Sequence, residues 1–293
     1  MFWPKALIKQ IKTGLPLAKY TTFKIGGKAK FYFEPSNRRQ LSQALEFAAR
    51  NKLPVFTLGA GSNILISDRG VDGLVIRLSH ADFKRISVRG RFIRCACAVS
   101  LSKLAQAAQR GSLSGGEFLV GIPGSLGGGL LMNAGAWGSS IADIVEEIEV
   151  MGYNGKIKVL KRNSLKFGYR CSGLKNYVIL SAKLKFSPKD KSAIERLMRQ
   201  YLLKRLVTQK TRLANAGCIF KNPVGCSAGK LIDLCGLKGV SRGKAVVAQK
   251  HANFILNRGG AKSADVLELM RFVRKSVKAK FKINLQPEIK VWS

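Results

Sequence analysis

Apolar positions recur along this chain at two spacings, and together they sketch its elements. At helical spacing, Leu41, Ala44, Leu45, Ala48 and Ala49 predict a helix over 36–51 capped by Ser36. Leu101, Leu104, Ala105 and Ala108 predict another over 100–110 capped by Ser100. Ile194, Leu197, Met198, Tyr201 and Leu202 form the inward face of a helix over 192–207 that is basic outside. Val266, Met270, Val273 and Val277 form the core stripe of one over 263–280, and shorter helices are expected over 5–12 and 228–234. At the two-residue spacing of strands, Ala29, Phe31 and Phe33 alternate with Lys30 and Tyr32 in a strand over 21–34 that turns at Gly26-Gly27. Further strands are expected over 55–58, 64–67, 74–78, 92–99, 177–186 and 254–256, with a closing strand that holds Glu288. The runs 144–151 and 156–160 flank Asn154-Gly155, which predicts a hairpin.

One stretch obeys neither spacing. Residues 115–138, GGEFLVGIPGSLGGGLLMNAGAWG, are dense in glycine yet carry Phe118, Leu119, Val120, Ile122, Leu126, Leu130, Leu131, Met132 and Trp137. Glycine loses the most entropy on ordering, so a regular helix or strand throughout is excluded, while the apolar residues exclude a linker. Backbone without side chains lets amides approach a ligand and can form a nest for phosphate; the plainer alternative is a tight core crossing with no ligand. A second glycine stretch, Leu58-Gly-Ala-Gly-Ser-Asn63, lies between two expected strands. The dinucleotide fingerprint needs a helix after its glycines, so neither loop fits it. Two such loops point to a large phosphorylated cofactor held in another way.

Composition narrows the picture. The chain has 293 residues, which predicts more than one lobe, and 46% apolar content supports a full core. No run of 18 apolar residues suggests a membrane span, and the basic start MFWPKALIKQIKTGLPLAKY lacks a signal peptide's apolar region, so a cytoplasmic protein is expected. The six cysteines show neither a CxxC pair nor zinc spacing with histidine; no metal is expected, and all but one are read as reduced, buried thiols, with Cys95 and Cys97 on one strand face. Fifty-two Lys and Arg against sixteen acids give a formal charge of +36. Such a charge suits a nucleic-acid binder, but it is scattered and comes with no helix-turn-helix, finger or aromatic RNA-binding signature, so nucleic-acid binding is not expected.

The motifs, taken in order, resemble those of the UDP-N-acetylenolpyruvoylglucosamine reductases (MurB), flavoenzymes of peptidoglycan precursor synthesis. The matching segments are TTFKIGGKAKF (21–31), LGAGSNILISD (58–68), EFLVGIPGSLGGGLLMNAGAWG (117–138) and FGYRCS (167–172). AGCIFKNP (216–223), AGKLIDLCGLKG (228–239), HANFILN (251–257) and LQPEI (285–289) follow, so the resemblance covers nearly the whole chain. It implies an α+β fold in three lobes. Residues 1–80, after a short lead, and 81–188 would bind FAD in the manner of the vanillyl-alcohol-oxidase/PCMH-type flavoproteins; 189–293 would form an α+β substrate domain.

The resemblance also implies the chemistry. NADPH reduces FAD, a hydride passes to the vinyl end of the enolpyruvyl ether of UDP-N-acetylglucosamine, and an acid of the enzyme protonates the adjacent carbon. Arg170 matches the catalytic arginine, whose fork suits a carboxylate, and Glu288 matches a second catalytic position. Cys218 stands where many members carry serine as proton donor, and the stronger acid keeps the role while the thiol stays protonated. The FAD cradle would comprise Gly59, Ala60, Gly61, Ser62 and Asn63 of the first loop. From the second it would take Gly121, Ile122, Pro123, Gly124, Ser125, Gly127, Gly128, Asn133, Ala134 and Gly135. Tyr169, Lys221, Asn222 and His251 are the substrate-binding candidates. FAD is expected to be noncovalent, because both histidines, His80 and His251, lie outside the glycine loops.

Three features depart from the pattern or refine it. Residues 209–215 lack the prolines often found there, and Gly115-Gly116 stands where a larger residue usually follows the first glycine. The short span from Arg170 to Cys218 resembles the subclass without the extra tyrosine-bearing loop. A small-molecule substrate is expected and no obligate protein partner. Two rivals stay open: another flavin oxidoreductase on this scaffold, acting on an alcohol or hydroxy acid, and a decayed member that binds nucleic acid through its charge.

Overall fold

The hairpin expected around Asn154-Gly155 forms, and it makes one edge of the largest sheet. In the computed structural model, which describes residues 3–209 and 211–293, strands Val145–Gly152 and Ile157–Lys161 pair antiparallel with Ile148 opposite Leu160. The first strand pairs on its other side with Tyr177–Lys185, which continues to Phe92–Ala96 and Ile86–Arg89. Ile93, Cys95, Ile148, Val150, Ala182 and Leu184 fill the buried face of this five-stranded sheet. Helices Arg38–Arg50 and Leu101–Arg110 bury Leu41, Leu45, Leu104 and Ala108 in the same core. A parallel pair of strands, Val55–Leu58 beside the Gly73–Arg77 part of Val71–Arg77, also belongs here.

These elements make up one of two compact units, drawn from Met1–Lys12, Phe31–Gly59 and Gly73–Arg205. Its single core runs from Leu7 to Phe186, and the expected boundary at 80/81 falls within it. The second unit is drawn from Thr13–Lys30, Ala60–Asp72 and Leu206–Ser293. It holds a four-stranded antiparallel sheet in the order Ala214–Cys218, Phe254–Asn257, Ala245–Val247, Ser241–Arg242. Helices Ala228–Leu234 and Ser263–Phe281 cover it, and Phe23, Leu65, Phe220, Val266, Val273 and Leu285 are buried in its core. Ile64–Ile66 and Lys290–Trp292, far apart in sequence, pair in parallel.

Several expectations need correction. The helix over 5–12 shrinks to Lys5–Ile8, because Leu7 alone among its described side chains is buried, and Lys12–Pro16 is a strand instead. The first two residues of the expected lead, and Lys210 of the proline-poor segment, lie outside the described residues. The strand over 21–34 is confined to Lys28–Phe33. The cap of the next helix is Asn37, whose side chain accepts from the Gln40 amide at 3.0 Å, while Ser36 donates its own amide to the Gln40 side chain. Ser100 does cap its helix. The strand over 92–99 stops at Ala96, where the Val99 amide folds back to the Ala96 carbonyl. Leu202 of Lys191–Gln209 is not inward but exposed, and of the five residues expected inside only Ile194 is fully buried. Of the six cysteines, all free, only Cys95 and Cys97 are buried; Cys171 is exposed and the other three are half-buried. Glu288 lies just before the closing strand rather than in it.

Candidate active site

The first unit presents Arg170 at the tip of a two-residue turn. Gly168 and Cys171 exchange backbone hydrogen bonds of 3.0 and 3.2 Å, leaving Tyr169 and Arg170 between them. Arg170 has φ +56°, a left-handed conformation that a side chain adopts only when its surroundings impose it. The surroundings are the end of the glycine run. The Asn133 amide nitrogen donates to the Gly168 carbonyl at 2.9 Å, the Ser172 hydroxyl to the Leu131 carbonyl at 2.9 Å, and Arg170 Nη2 to the Gly135 carbonyl at 3.2 Å. The guanidinium also lies 5.1 Å from the centre of the exposed Tyr169 ring, within cation–π range.

The glycine run itself is not uniform. Leu126–Leu131 is a short helix, with the Ser125 hydroxyl as cap for the Gly128 amide. The amides at its start are already engaged: Leu126 donates to Val99 at 2.8 Å and Gly127 to Cys97 at 2.9 Å. Ahead of the helix the Ile122 amide donates to Leu119, and the Gly124 carbonyl accepts from Leu101. Beyond it, the Ala134 amide returns to Gly129, and Gly135 pairs with Ser140. The buried Glu117 carboxylate accepts from the Ser114 hydroxyl and the Gly115 amide, which fixes the opening of the run.

Gly59, which opens the first glycine loop, meets the second run within this unit. A Cβ on Gly59 would stand 2.8 Å from the Ser125 hydroxyl oxygen, so no other residue allows that approach without a shift. Backbone carrying serine hydroxyls, with no carboxylate among the expected cradle residues, fits the diphosphate and ribityl portions of FAD. The Leu126 and Gly127 amides are committed to Val99 and Cys97, so the remaining residues of the expected cradle would have to hold it. Cys97 and Cys95 lie beneath, and burial pushes both thiols up to about 12, so they stay protonated and inert.

The second unit brings Cys218 and Glu288 onto neighbouring backbones. The Glu288 amide donates to the Ile219 carbonyl at 2.8 Å, Phe220 bridges to Pro287, and the Lys221 amide donates to Gln286 at 2.8 Å. Cys218 ends its strand opposite Phe254, after a register shift between Asn215 and Cys218. Gly217 takes φ +73° within that bulge, and the Asn215 side chain accepts its amide at 3.0 Å. Bulges of this kind re-aim the side chain that follows, here the Cys218 thiol.

The remaining candidates of this unit scatter in role. Asn63 donates its side-chain amide to the Glu288 carbonyl at 3.3 Å, and its own carbonyl accepts from Lys290 at 3.0 Å. The Gly61 carbonyl, next to Ala60 and Ser62, accepts from the Thr22 amide, and the Thr22 hydroxyl donates to Asn215 at 2.7 Å. The Asn222 side chain accepts from the Ala228 amide at 3.0 Å, so it braces the start of a helix. The His251 ring lies 4.5 Å from that of Phe254, the residue opposite Cys218. Burial holds its imidazole below the ordinary histidine range; a backbone hydrogen bond opposes this, and Lys238 adds to it.

Two residues escaped the sequence reading. Buried Asn253 accepts from the Phe220 amide at 2.9 Å and donates to the Phe220 carbonyl at 2.8 Å, while its own carbonyl accepts from Ile219. It therefore fixes the two residues that follow Cys218. Asp68 accepts from the amides of Ser263 and Ala264 and from the Ser263 hydroxyl, capping the last helix from another part of the chain. A lone amide inside HANFILN and an acid closing LGAGSNILISD were the available signals.

Residues 29–161 match the family described as an FAD binding domain, so the architecture and the paired glycine loops are those of an FAD-binding flavoprotein. A grass pollen allergen with glucose dehydrogenase activity, Phl p 4, shares the fold at 15% identity and a TM-score of 0.51, over 62% of this chain and 42% of that one. Residues 209–292 match the C-terminal domain of UDP-N-acetylenolpyruvoylglucosamine reductase. Curated relatives of that name are 43% identical in Symbiobacterium thermophilum, over 97% of this chain and 92% of the relative, and 40% identical in Desulforamulus reducens, over 98% and 95%. The crystal structure of the reductase from Thermus caldophilus superimposes with a TM-score of 0.84 at 37% identity, covering 97% of this chain and 98% of that one. The chain belongs to the UDP-N-acetylenolpyruvoylglucosamine reductase family.

Proposed function

We propose that this protein reduces the enolpyruvyl ether of UDP-N-acetylglucosamine to the lactyl ether of UDP-N-acetylmuramate, in peptidoglycan precursor synthesis in the cytoplasm. Residues 1–80 and 81–188 would serve the cofactor and 189–293 the substrate. When bound, FAD supplies to the vinyl carbon the hydride taken from NADPH. Arg170 holds the enolpyruvyl carboxylate and stabilises the negative charge that develops on it. Cys218 gives its thiol proton to the carbon next to the ether oxygen, and the thiolate is reprotonated from solvent. Glu288 acts beside it in polarising the developing charge. Tyr169, Lys221, Asn222 and His251 are candidates to contact the nucleotide sugar. The observation that carries the reading is the pairing of the Glu288 backbone with Ile219, which brings two of the three expected catalytic positions together from distant parts of the chain.

Visible absorption of the FAD-loaded protein tests the proposal. NADPH added without oxygen should bleach the flavin band, and the enolpyruvyl substrate should restore it. Bleaching without recovery would overturn the substrate assignment while leaving an NADPH-dependent flavoprotein. Failure to take up FAD at all would overturn the enzyme reading.

No helix among the described residues is long and apolar enough to cross a membrane.

A further inference from the structure

We infer that Asn133 is a positioning residue for Arg170, acting through the turn Gly168–Cys171 and not as a side-chain ligand of the cofactor; the inference rests on the function proposed above. Asn133 is buried, with 8% of its surface exposed. Its side chain is engaged inside the protein at both ends: Nδ2 donates to the Gly168 carbonyl at 2.9 Å, and Oδ1 accepts from the Ala142 amide at 3.2 Å. The Ala142 carbonyl in turn accepts from Arg162 Nε at 3.1 Å, and the Arg162 guanidinium lies 5.3 Å from the centre of the Phe167 ring, just before the turn. One side of Asn133 thus faces the segment that frames the turn, and the other grips the turn itself.

The grip matters because Arg170 is in a conformation it would otherwise leave. A non-glycine residue at φ +56° is uncommon, and neighbouring structure holds it there. Asn133 is itself left-handed, at φ +43°, where asparagine is among the side chains best tolerated. Its backbone places the amide under Gly168, while the Ser172 hydroxyl on Leu131 and Arg170 on Gly135 hold the rest of the turn. The stretch Leu131–Gly135 thus fixes where the guanidinium points, and Asn133 is the only one of its residues to do so with a side-chain donor on the turn.

The test is a double-mutant cycle on the FAD-loaded enzyme, with NADPH and UDP-N-acetylglucosamine enolpyruvate as substrates. Asn133→Gly keeps the left-handed backbone and removes both hydrogen bonds. Asn133→Asp keeps the acceptor for Ala142 but loses the donor to Gly168, and it carries the test if the glycine variant does not fold. Each should lower kcat/KM for the enolpyruvyl substrate by about ten- to a hundredfold, the loss typical of a misplaced binding group. In an Arg170→Ala background, the same change should cost no more than roughly twofold, because the residue it positions is gone. Titration of the apoprotein with FAD should give an affinity within about twofold of wild type. Additive losses in the Arg170→Ala background, or FAD affinity weakened about tenfold or more, would overturn the inference. A wild-type enzyme that does not turn over this substrate would instead remove the functional reading and the inference with it.

Discussion

The amide of Glu288 donates to the carbonyl of Ile219 at 2.8 Å, so the acid near the end of the chain sits across from the residue that follows Cys218. Neither position owes its place to a local motif alone. Cys218 is aimed by a bulge, and Glu288 follows the bridge between Pro287 and Phe220, with its own carbonyl accepting from Asn63.

Cys218→Ser should retain most turnover, since a hydroxyl can donate the same proton. Cys218→Ala should bind FAD and consume NADPH normally, yet reoxidise with substrate about a hundredfold or more slowly, the usual span for a lost general acid. Stopped-flow absorbance separates the two half-reactions. Wild-type reoxidation by the alanine variant would take Cys218 out of the mechanism.

Asn253→Leu should destabilise the protein by about 2–3 kcal/mol, because both backbone groups of buried Phe220 lose their partner. Asn253→Asp keeps the acceptor for the Phe220 amide but buries a carboxylate whose second oxygen faces the Phe220 carbonyl, so it should lose at least as much. Urea denaturation midpoints measure both. Activity of folded Asn253→Leu protein should fall as well, since the peptide beside Cys218 is no longer fixed.

Asp68→Ala should cost about 1 kcal/mol, the usual worth of a helix cap. Burial pushes this carboxyl up, but hydrogen bonds from Ser263 and Ala264, and the charge of Lys262, outweigh it and hold it below the ordinary aspartate range. A depressed carboxyl contributes its stability above the unfolded value and loses it as pH falls through the folded one. The gap in Tm between wild type and Asp68→Ala should therefore narrow only on acidification below about pH 4. A gap that stays constant down to pH 2 would show that the carboxylate charge is not what the helix uses.

His251 predicts a loss of stability at milder acidity. Its folded imidazole titrates below the ordinary value, so the unfolded chain takes up the proton first as pH falls. No penalty is present well above pH of about 6.5, and it grows below that value. His251→Gln should flatten this part of the profile of Tm against pH between about 7.5 and 5.5. An unchanged slope would assign the acid sensitivity elsewhere.

The regular elements were legible wherever one face is buried in one core. The stripe Val266, Met270, Val273 and Val277 follows from spacing, because it buries a continuous face, whereas the hairpin 145–161 follows from its Asn154-Gly155 turn, since Ile157 and Val159 of its second strand are exposed. Leu202 misled because its helix buries only Ile194 completely, so apolar spacing there reports no burial. In the candidate site, ordered motifs located Arg170, Cys218 and Glu288, but not what holds them. Asn133, Ser172, Asn253 and Asp68 act through backbone carbonyls and amides far away in sequence, and side-chain spacing carries no record of such partners. The glycine run showed the same limit: composition pointed to amides open to a phosphate, whereas Leu126 and Gly127 are already satisfied by Val99 and Cys97.

The parallel pairing of Ile64–Ile66 with Lys290–Trp292 sets an order of events at the ribosome. The first strand leaves the tunnel well before its partner is made. At about 5–20 residues per second, the interval is on the order of ten to forty seconds. Throughout it, Ile64, Leu65 and Ile66 form a short apolar strand with an unfilled edge, the kind of segment that pairs with whatever chain is nearby. Thr13–Lys30 and Ala60–Asp72 must likewise wait for the sheet and helices they belong with. Until Lys290–Trp292 is made, nascent chains of this protein are therefore exposed to aggregation and to chaperone capture at this edge.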